Sequence, residues 1–125
     1  MFAKRLDKDN LIIGAPAKVN LFLEVLNRRD DGYHNICSLF QAVSLFDRLT
    51  ITRKPGRDIK LTIENCPDLP ADNHNLVTKA CRLIQAEFQP DYGLEIVLQK
   101  NIPIAAGLGG GSADAAAALL ACNVL

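Results

Sequence analysis

Pro103-Ile104-Ala105-Ala106-Gly107-Leu108-Gly109-Gly110-Gly111-Ser112-Ala113-Asp114 places four glycines in five positions. Ahead of it, Gly93 to Lys100 alternates with the period of a strand. Behind it, Ser112 opens an alanine-rich run, Ala115 to Leu120, that reads as a helix. In a unit of strand, glycine loop and helix, backbone N–H groups can turn toward one point with no Cβ in the way. The helix N-terminus adds a positive partial charge. That combination suits a polyphosphate, and Ser112 can offer its hydroxyl to a phosphate or to a bound magnesium. A plain turn needs only one or two glycines. A Walker A loop is excluded, because Gly111-Ser112 lacks the intervening lysine. The dinucleotide fingerprint fails as well, since its third glycine, counted from Gly107, falls on Ser112.

Outward from the loop, the chain supplies both strands and helices. Leu11 to Gly14 and Val19 to Leu26 read as two extended segments broken by Gly14 and Pro16. Asn27-Arg28-Arg29-Asp30-Asp31-Gly32 is a turn. Ile36 to Phe46 fits either a strand or a buried segment. Asp47 to Thr52 and Asp58 to Glu64 alternate with period two around Pro55-Gly56, which predicts that these two strands pair. Val77, Ala80, Cys81, Ile84 and Phe88 recur at helical spacing, with Asn75 as N-cap and an end near Gln89-Pro90. The expected fold is α+β, a mixed sheet with helices packed on one face.

The totals exclude several classes. With 14 basic and 14 acidic side chains among 125 residues, no global field favours nucleic acid or an anionic membrane. An anionic ligand would be held by local groups. Cys37, Cys66, Cys81 and Cys122 form no CxxC pair, so a zinc site is not expected and all four are read as buried reduced thiols. The run Leu11-Ile12-Ile13 is too short for a secretion signal, and the run from Ala115 to Leu125 is too short to span a bilayer. The expectation is a soluble, cytoplasmic protein of one domain or part of one. Its last helix has no stop signal and ends on Asn123-Val124-Leu125, as if continued elsewhere.

Two further clusters carry chemistry. In Ala15-Pro16-Ala17-Lys18-Val19-Asn20, Lys18 has no acid beside it. Turned inward it must meet an anion, and turned outward it is an ordinary strand-edge lysine. In Gly32-Tyr33-His34 an aromatic face stands beside an imidazole, so a base could stack and pair there. A surface loop explains the same residues.

Together and in this order, Pro16 to Leu23, Arg29 to His34 and Pro103 to Ala116 closely resemble the superfamily of galactokinase, homoserine kinase, mevalonate kinase and phosphomevalonate kinase. Within it, the Gly-Tyr-His segment resembles that of the 4-diphosphocytidyl-2-C-methyl-D-erythritol kinases of non-mevalonate isoprenoid biosynthesis. The resemblance implies transfer of ATP's γ-phosphate to the C2 hydroxyl of a cytidine diphosphate conjugate, with Mg2+. It implies that Tyr33 stacks on cytosine, His34 bonds the base edge and Asn20 touches the polyol. Lys18 would stand at the reacting centre, where phosphoryl transfer needs positioning and electrostatics above all. Residues Pro103 to Ala113 would wrap the ATP phosphates, and Asn75 and Lys100 would line the adenine pocket.

The sequence departs from the family pattern at Ala113, where a second serine is commoner, which removes one hydroxyl. It also holds no Gly-Ala-Asp-Val-Pro-like segment, which bears the family's catalytic aspartate. Residues 1–125 are therefore expected to be an N-terminal ATP-binding domain, incomplete at its C-terminal end, without the second domain and inactive alone. The rival readings are a non-catalytic nucleotide-binding module and another small-molecule kinase of the superfamily. Tyr33-His34 speaks against the latter, because a sugar or mevalonate site has no base to stack.

Overall fold

The computed structural model describes all 125 residues. Its elements are β1 (Phe2–Arg5), β2 (Asn10–Arg28), β3 (His34–Lys54), β4 (Ile59–Glu64), α1 (Leu76–Phe88), β5 (Gly93–Gln99) and α2 (Gly110–Val124). The strands form one five-stranded sheet in the order β1-β2-β3-β5-β4, antiparallel except for the parallel pair β4 and β5. This is the α+β mixed sheet that the sequence predicts.

Lateral register builds the core. Leu11, Ile51, Ile96 and Leu61 stand side by side across four strands, and Ile13, Leu49, Leu98 and Ile63 form the next row. Both rows face the helices and make one cluster with Val77, Ala80 and Cys81 of α1 and Ala117, Ala118 and Ala121 of α2. The alanines let α2 lie close on β2, where Ala15 and Ala17 are fully buried. Small side chains on both partners shorten the approach.

Four expectations need correction. Residues Leu11–Gly14 and Val19–Leu26 are not two segments but parts of the single strand β2. Pro16 is accommodated at a register shift between Pro16 and Lys18, where a ladder bond is already missing. The strands at Asp47–Thr52 and Asp58–Glu64 do not pair with each other, because β5 lies between them. The connection from β4 through α1 makes β5 parallel to β4. The more apolar β5, with Leu94, Ile96 and Leu98 buried, takes the inner place, and β4 with Lys60, Thr62 and Glu64 takes the edge. Helix α2 starts at Gly110, not Ser112, with Gly109 as its N-cap in the left-handed region. Finally, of the four cysteines only Cys81 is buried. It faces Cys122 at 3.8 Å, while Cys37 is exposed on the hairpin.

The charged start, which carried no prediction, forms the edge strand β1 against Leu11 to Gly14. Helix α1 begins as expected, with the Asn75 carboxamide oxygen accepting from the Val77 N–H at 2.9 Å. It ends at Gln89 in the left-handed region, just before Pro90. Val77, Ala80 and Cys81 are its buried face, but Phe88 lies in solvent. Ile36 to Phe46 belongs to β3, which resolves its two readings in favour of a strand.

Candidate functional site

Between β5 and α2 the chain runs over a cavity of about 350 Å3 lined by Pro103 to Ser112, Lys100, Leu69 and Leu76. Three residues of the loop have positive φ: Ala105 at 56°, Gly107 at 73° and Gly109 at 70°. A left-handed alanine is strained, so the surroundings hold this loop in shape. At its end α2 has no side-chain cap, and the first amides of a helix have no partner within it. The Gly110, Gly111 and Ser112 amides are thus open to an anion at the positive end of the helix.

The glycines there differ in what they tolerate. A Cβ on Gly110 would stand 2.9 Å from Ile102 Cγ2 and 3.2 Å from Lys100 Nζ, so this glycine is packed from below. A Cβ on Gly111 would meet only Leu76 Cδ1 at an ordinary 3.5 Å, and both residues line the cavity. Gly110 serves the fold, and Gly111 keeps space open.

Lys18 comes from β2 to the other side of the loop. Its N–H donates to the Leu108 carbonyl at 2.9 Å, and its stem lies against Gly109, whose Cβ would be 3.1 Å from it. Its ammonium donates to Asn20 Oδ1 at 2.5 Å and stands 5.0 Å from the Phe40 ring centre. No carboxylate pairs with it. Of the two readings of Lys18, the structure shows neither a buried ion pair nor a free surface lysine. It is a half-buried cation, held by neutral groups, beside a loop of open amides.

The remaining predicted residues are placed differently. Tyr33 and His34 lie at the far end of the hairpin of β2 and β3, where Arg28 pairs with His34. About ten residues of strand separate that end from Lys18, roughly 30 Å if the arm were straight. Register shifts at Asn20/Phe22 and Val25/Arg28 bend it. Asn75 is buried with its side chain already bonded, its oxygen to Val77 N and its nitrogen to the Pro70 carbonyl at 3.0 Å. Lys100 lines the cavity. Its ammonium is buried beneath the loop, bonded to Asp47 Oδ2 and, at 2.9 Å, to Asp114 Oδ2, so it offers no free charge to an adenine pocket.

Asp47 and Asp114 were not singled out from the sequence. The signal existed at Asp114: with Gly110, Ala117, Ala118 and Ala121 it falls on the buried stripe of α2. A carboxylate on a core stripe requires a cation. One ammonium neutralises one carboxylate, so the second is opposed by burial. Burial pushes the Asp114 carboxyl up to about 7, against the hydrogen bond from Lys100, and the Asp47 charge adds to the push. Burial pulls Lys100 down, but its bonds to Asp47 and Asp114 leave it raised overall.

Comparison with known proteins agrees with this geometry. Residues 75–125 match the GHMP kinases N terminal domain, which takes in α1, β5, the glycine loop and α2. The chain is 47% identical over 111 residues to a 4-diphosphocytidyl-2-C-methyl-D-erythritol kinase of Synechococcus sp. (strain JA-3-3Ab), covering 89% of this chain and 35% of that protein. A crystal structure of 4-(cytidine 5'-diphospho)-2C-methyl-D-erythritol kinase superposes with a TM-score of 0.73 at 44% identity, over 90% of this chain and 40% of the other. Homoserine kinase from Cytophaga hutchinsonii superposes with a TM-score of 0.70 at 20% identity, a likeness of fold. The chain thus spans well under half the length of these relatives.

Proposed function

We propose that this chain is a member of the GHMP kinase family and the nucleotide-binding N-terminal domain of a 4-diphosphocytidyl-2-C-methyl-D-erythritol kinase. The observation that carries the reading is Lys18, a cation without a counter-ion beside uncapped helix amides. Residues Pro103 to Ala113 wrap the ATP phosphates, with the backbone N–H groups of Gly110, Gly111 and Ser112 as donors. The donors fit that ligand: they are preset, and no free carboxylate lines the cavity to repel an anion, because Lys100 pairs both Asp47 and Asp114. Ser112, exposed at the helix start, is the residue that would hold magnesium, which when bound neutralises part of the phosphate charge.

The substrate for which these relatives are named, a cytidine diphosphate conjugate, then lies along the bent arm of β2 and β3. Tyr33 and His34 take its base, Asn20 its polyol, and Lys18 orients the hydroxyl and stabilises charge on the transferred group. Asn75 and Lys100 support the pocket from beneath through their internal bonds. No carboxylate or imidazole beside Lys18 can accept the hydroxyl's proton, so in this reading the base comes from outside these elements. Residues 1–125 bind, and do not turn over, alone.

Calorimetric titration with MgATP tests the reading. The chain should bind it, and Gly111→Val should abolish binding while the melting profile is kept, because Gly111 lines the cavity and a Cβ there meets no core atom closely. Equal affinity in the two proteins would overturn the proposed cradle.

A further inference from the structure

The phosphate loop is tied at both of its ends by one buried group of charges. The last pair between β3 and β5 is Arg48 with Gln99, so the next residues along are Asp47, still in β3 and paired with Ala15 of β2, and Lys100, just past the end of β5. Asp47 Oδ2 accepts from the Lys100 ammonium. Asp47 Oδ1 accepts from the backbone N–H groups of Asn101 at 2.6 Å and Ile102 at 2.8 Å, the first two residues of the loop. The same ammonium donates to Asp114 Oδ2 at 2.9 Å, one turn into the helix that leaves the loop. The side chains of Asp47, Lys100 and Asp114 are all at most 3% exposed. Gly110, the first helical residue, rests directly on Ile102 and the ammonium.

A cation under the positive end of a helix is unfavourable unless it is neutralised where it stands, and two carboxylates do this. Burying three charges for mere stability is a poor use of them, since apolar groups of the same volume commonly serve as well. What the charges add is fixed geometry, because each bond is directional and none can swap with water.

We propose that Lys100 is a positioning residue: clamped between Asp47 and Asp114, it sets the separation of the strand that enters the loop and the helix that leaves it. The amides that face a phosphate are thereby held ready before the ligand arrives. This rests on reading the loop as a phosphate cradle, and it gives Lys100 a role in nucleotide binding without contact to the nucleotide.

The test uses the whole chain and the triple variant Asp47→Asn/Lys100→Met/Asp114→Asn, which removes all three charges at nearly constant volume and so avoids a stranded buried ion. MgATP and adenosine are each titrated, with amide chemical shifts followed for the weaker ligand. The expected result is a fall in ATP affinity of about tenfold to a hundredfold, the worth of one charged hydrogen bond, with adenosine affinity unchanged. Equal loss for both ligands would show a contact to the base or a damaged fold, and would overturn the clamp. Unchanged ATP affinity in the variant would overturn the clamp and leave the cradle standing. A wild-type chain that binds no ATP would overturn the cradle and the clamp together. If the variant does not fold, hydrogen exchange on the nucleotide-free wild type decides. The Asn101 and Ile102 amides should be protected before ATP is added, and free exchange there would show that no clamp exists.

Discussion

From Leu11 to Ala17, strand β2 buries alternate side chains completely. From Asn20 to Arg28 the same strand exposes all of them. Hydrophobicity does not separate the two halves, since Leu21, Phe22, Leu23, Val25 and Leu26 are as apolar as Leu11 and Ile13. Cover does. Helix α2 lies on the first half, and within these residues no helix lies on the second. The patterns differ accordingly. In the covered half burial is complete at Leu11, Ile13, Ala15 and Ala17, while Leu21-Phe22-Leu23 presents exposed apolar side chains on both faces. Two strands alone with no packed face are marginal in water.

The largest expected difference between the halves is in folding stability. Ile96, fully buried where the two core rows meet the helices, should cost about 2–5 kcal/mol as Ile96→Ala. Leu23→Ala, on the arm, should change stability by no more than about 0.5 kcal/mol. Urea melts of both variants measure this. A cost at Leu23 comparable with that at Ile96 would break the comparison, because it would mean that the arm is packed in solution.

The covered half was the more legible in the sequence, and the reason is physical. Period-two alternation reports a strand with one buried face, so β5 and the part of β3 after Asp47 could be read from it, while the proximal part of β2 was legible from its β-branched and large apolar residues. The glycine loop and the Asn75 cap were legible because each needs particular residue types. Strand order was not. Adjacent alternating segments predict a hairpin, and nothing local reveals that β5, beyond a helix, is apolar enough to displace β4 from its neighbour. The roles of Asn75 and Lys100 were hidden for a related reason. A side chain near a site can serve the ligand or the frame, and only its partners tell which. For Lys100 the partners are 53 residues back and 14 residues forward.

A second, smaller contrast concerns protons. In the unfolded chain Asp114 titrates near its ordinary 3.8, and in the fold burial first of all raises it to about 7. Between those values the folded protein holds a proton that the unfolded chain has released. Stability from this group is therefore complete below 3.8, declines as pH rises toward 7, and is level above. Urea midpoints through that window should fall with rising pH, and Asp114→Asn should flatten the slope. Tyr33→Ala on the arm should leave it untouched. A slope that survives Asp114→Asn would assign the proton to another group.

The smallest effect on the fold belongs to Tyr33 itself, and it is the one that gives the arm a purpose. Tyr33 is 73% exposed, while its backbone is fixed by the turn: the N–H donates to Asp31 Oδ1 at 3.0 Å, and the carbonyl accepts from the Arg29 N–H at 2.6 Å. The turn would keep its shape without the ring, so Tyr33→Ala should leave the melting profile within about 0.5 kcal/mol of wild type. An exposed aromatic on a fixed turn at the end of an arm is suited to stacking on a planar ligand. If cytosine is that ligand, cytidine diphosphate should bind more weakly to Tyr33→Ala by about 1–3 kcal/mol, the worth of one stacked base. Tyr33→Phe should retain most of the affinity, because the face and not the hydroxyl makes the stack. ATP affinity should be the same in all three proteins, since the loop lies at the other end of the arm. Titration of both nucleotides against each protein measures this. Parallel loss of ATP and cytidine diphosphate would mean that arm and core respond as one unit, and unchanged cytidine diphosphate affinity would remove the base from Tyr33.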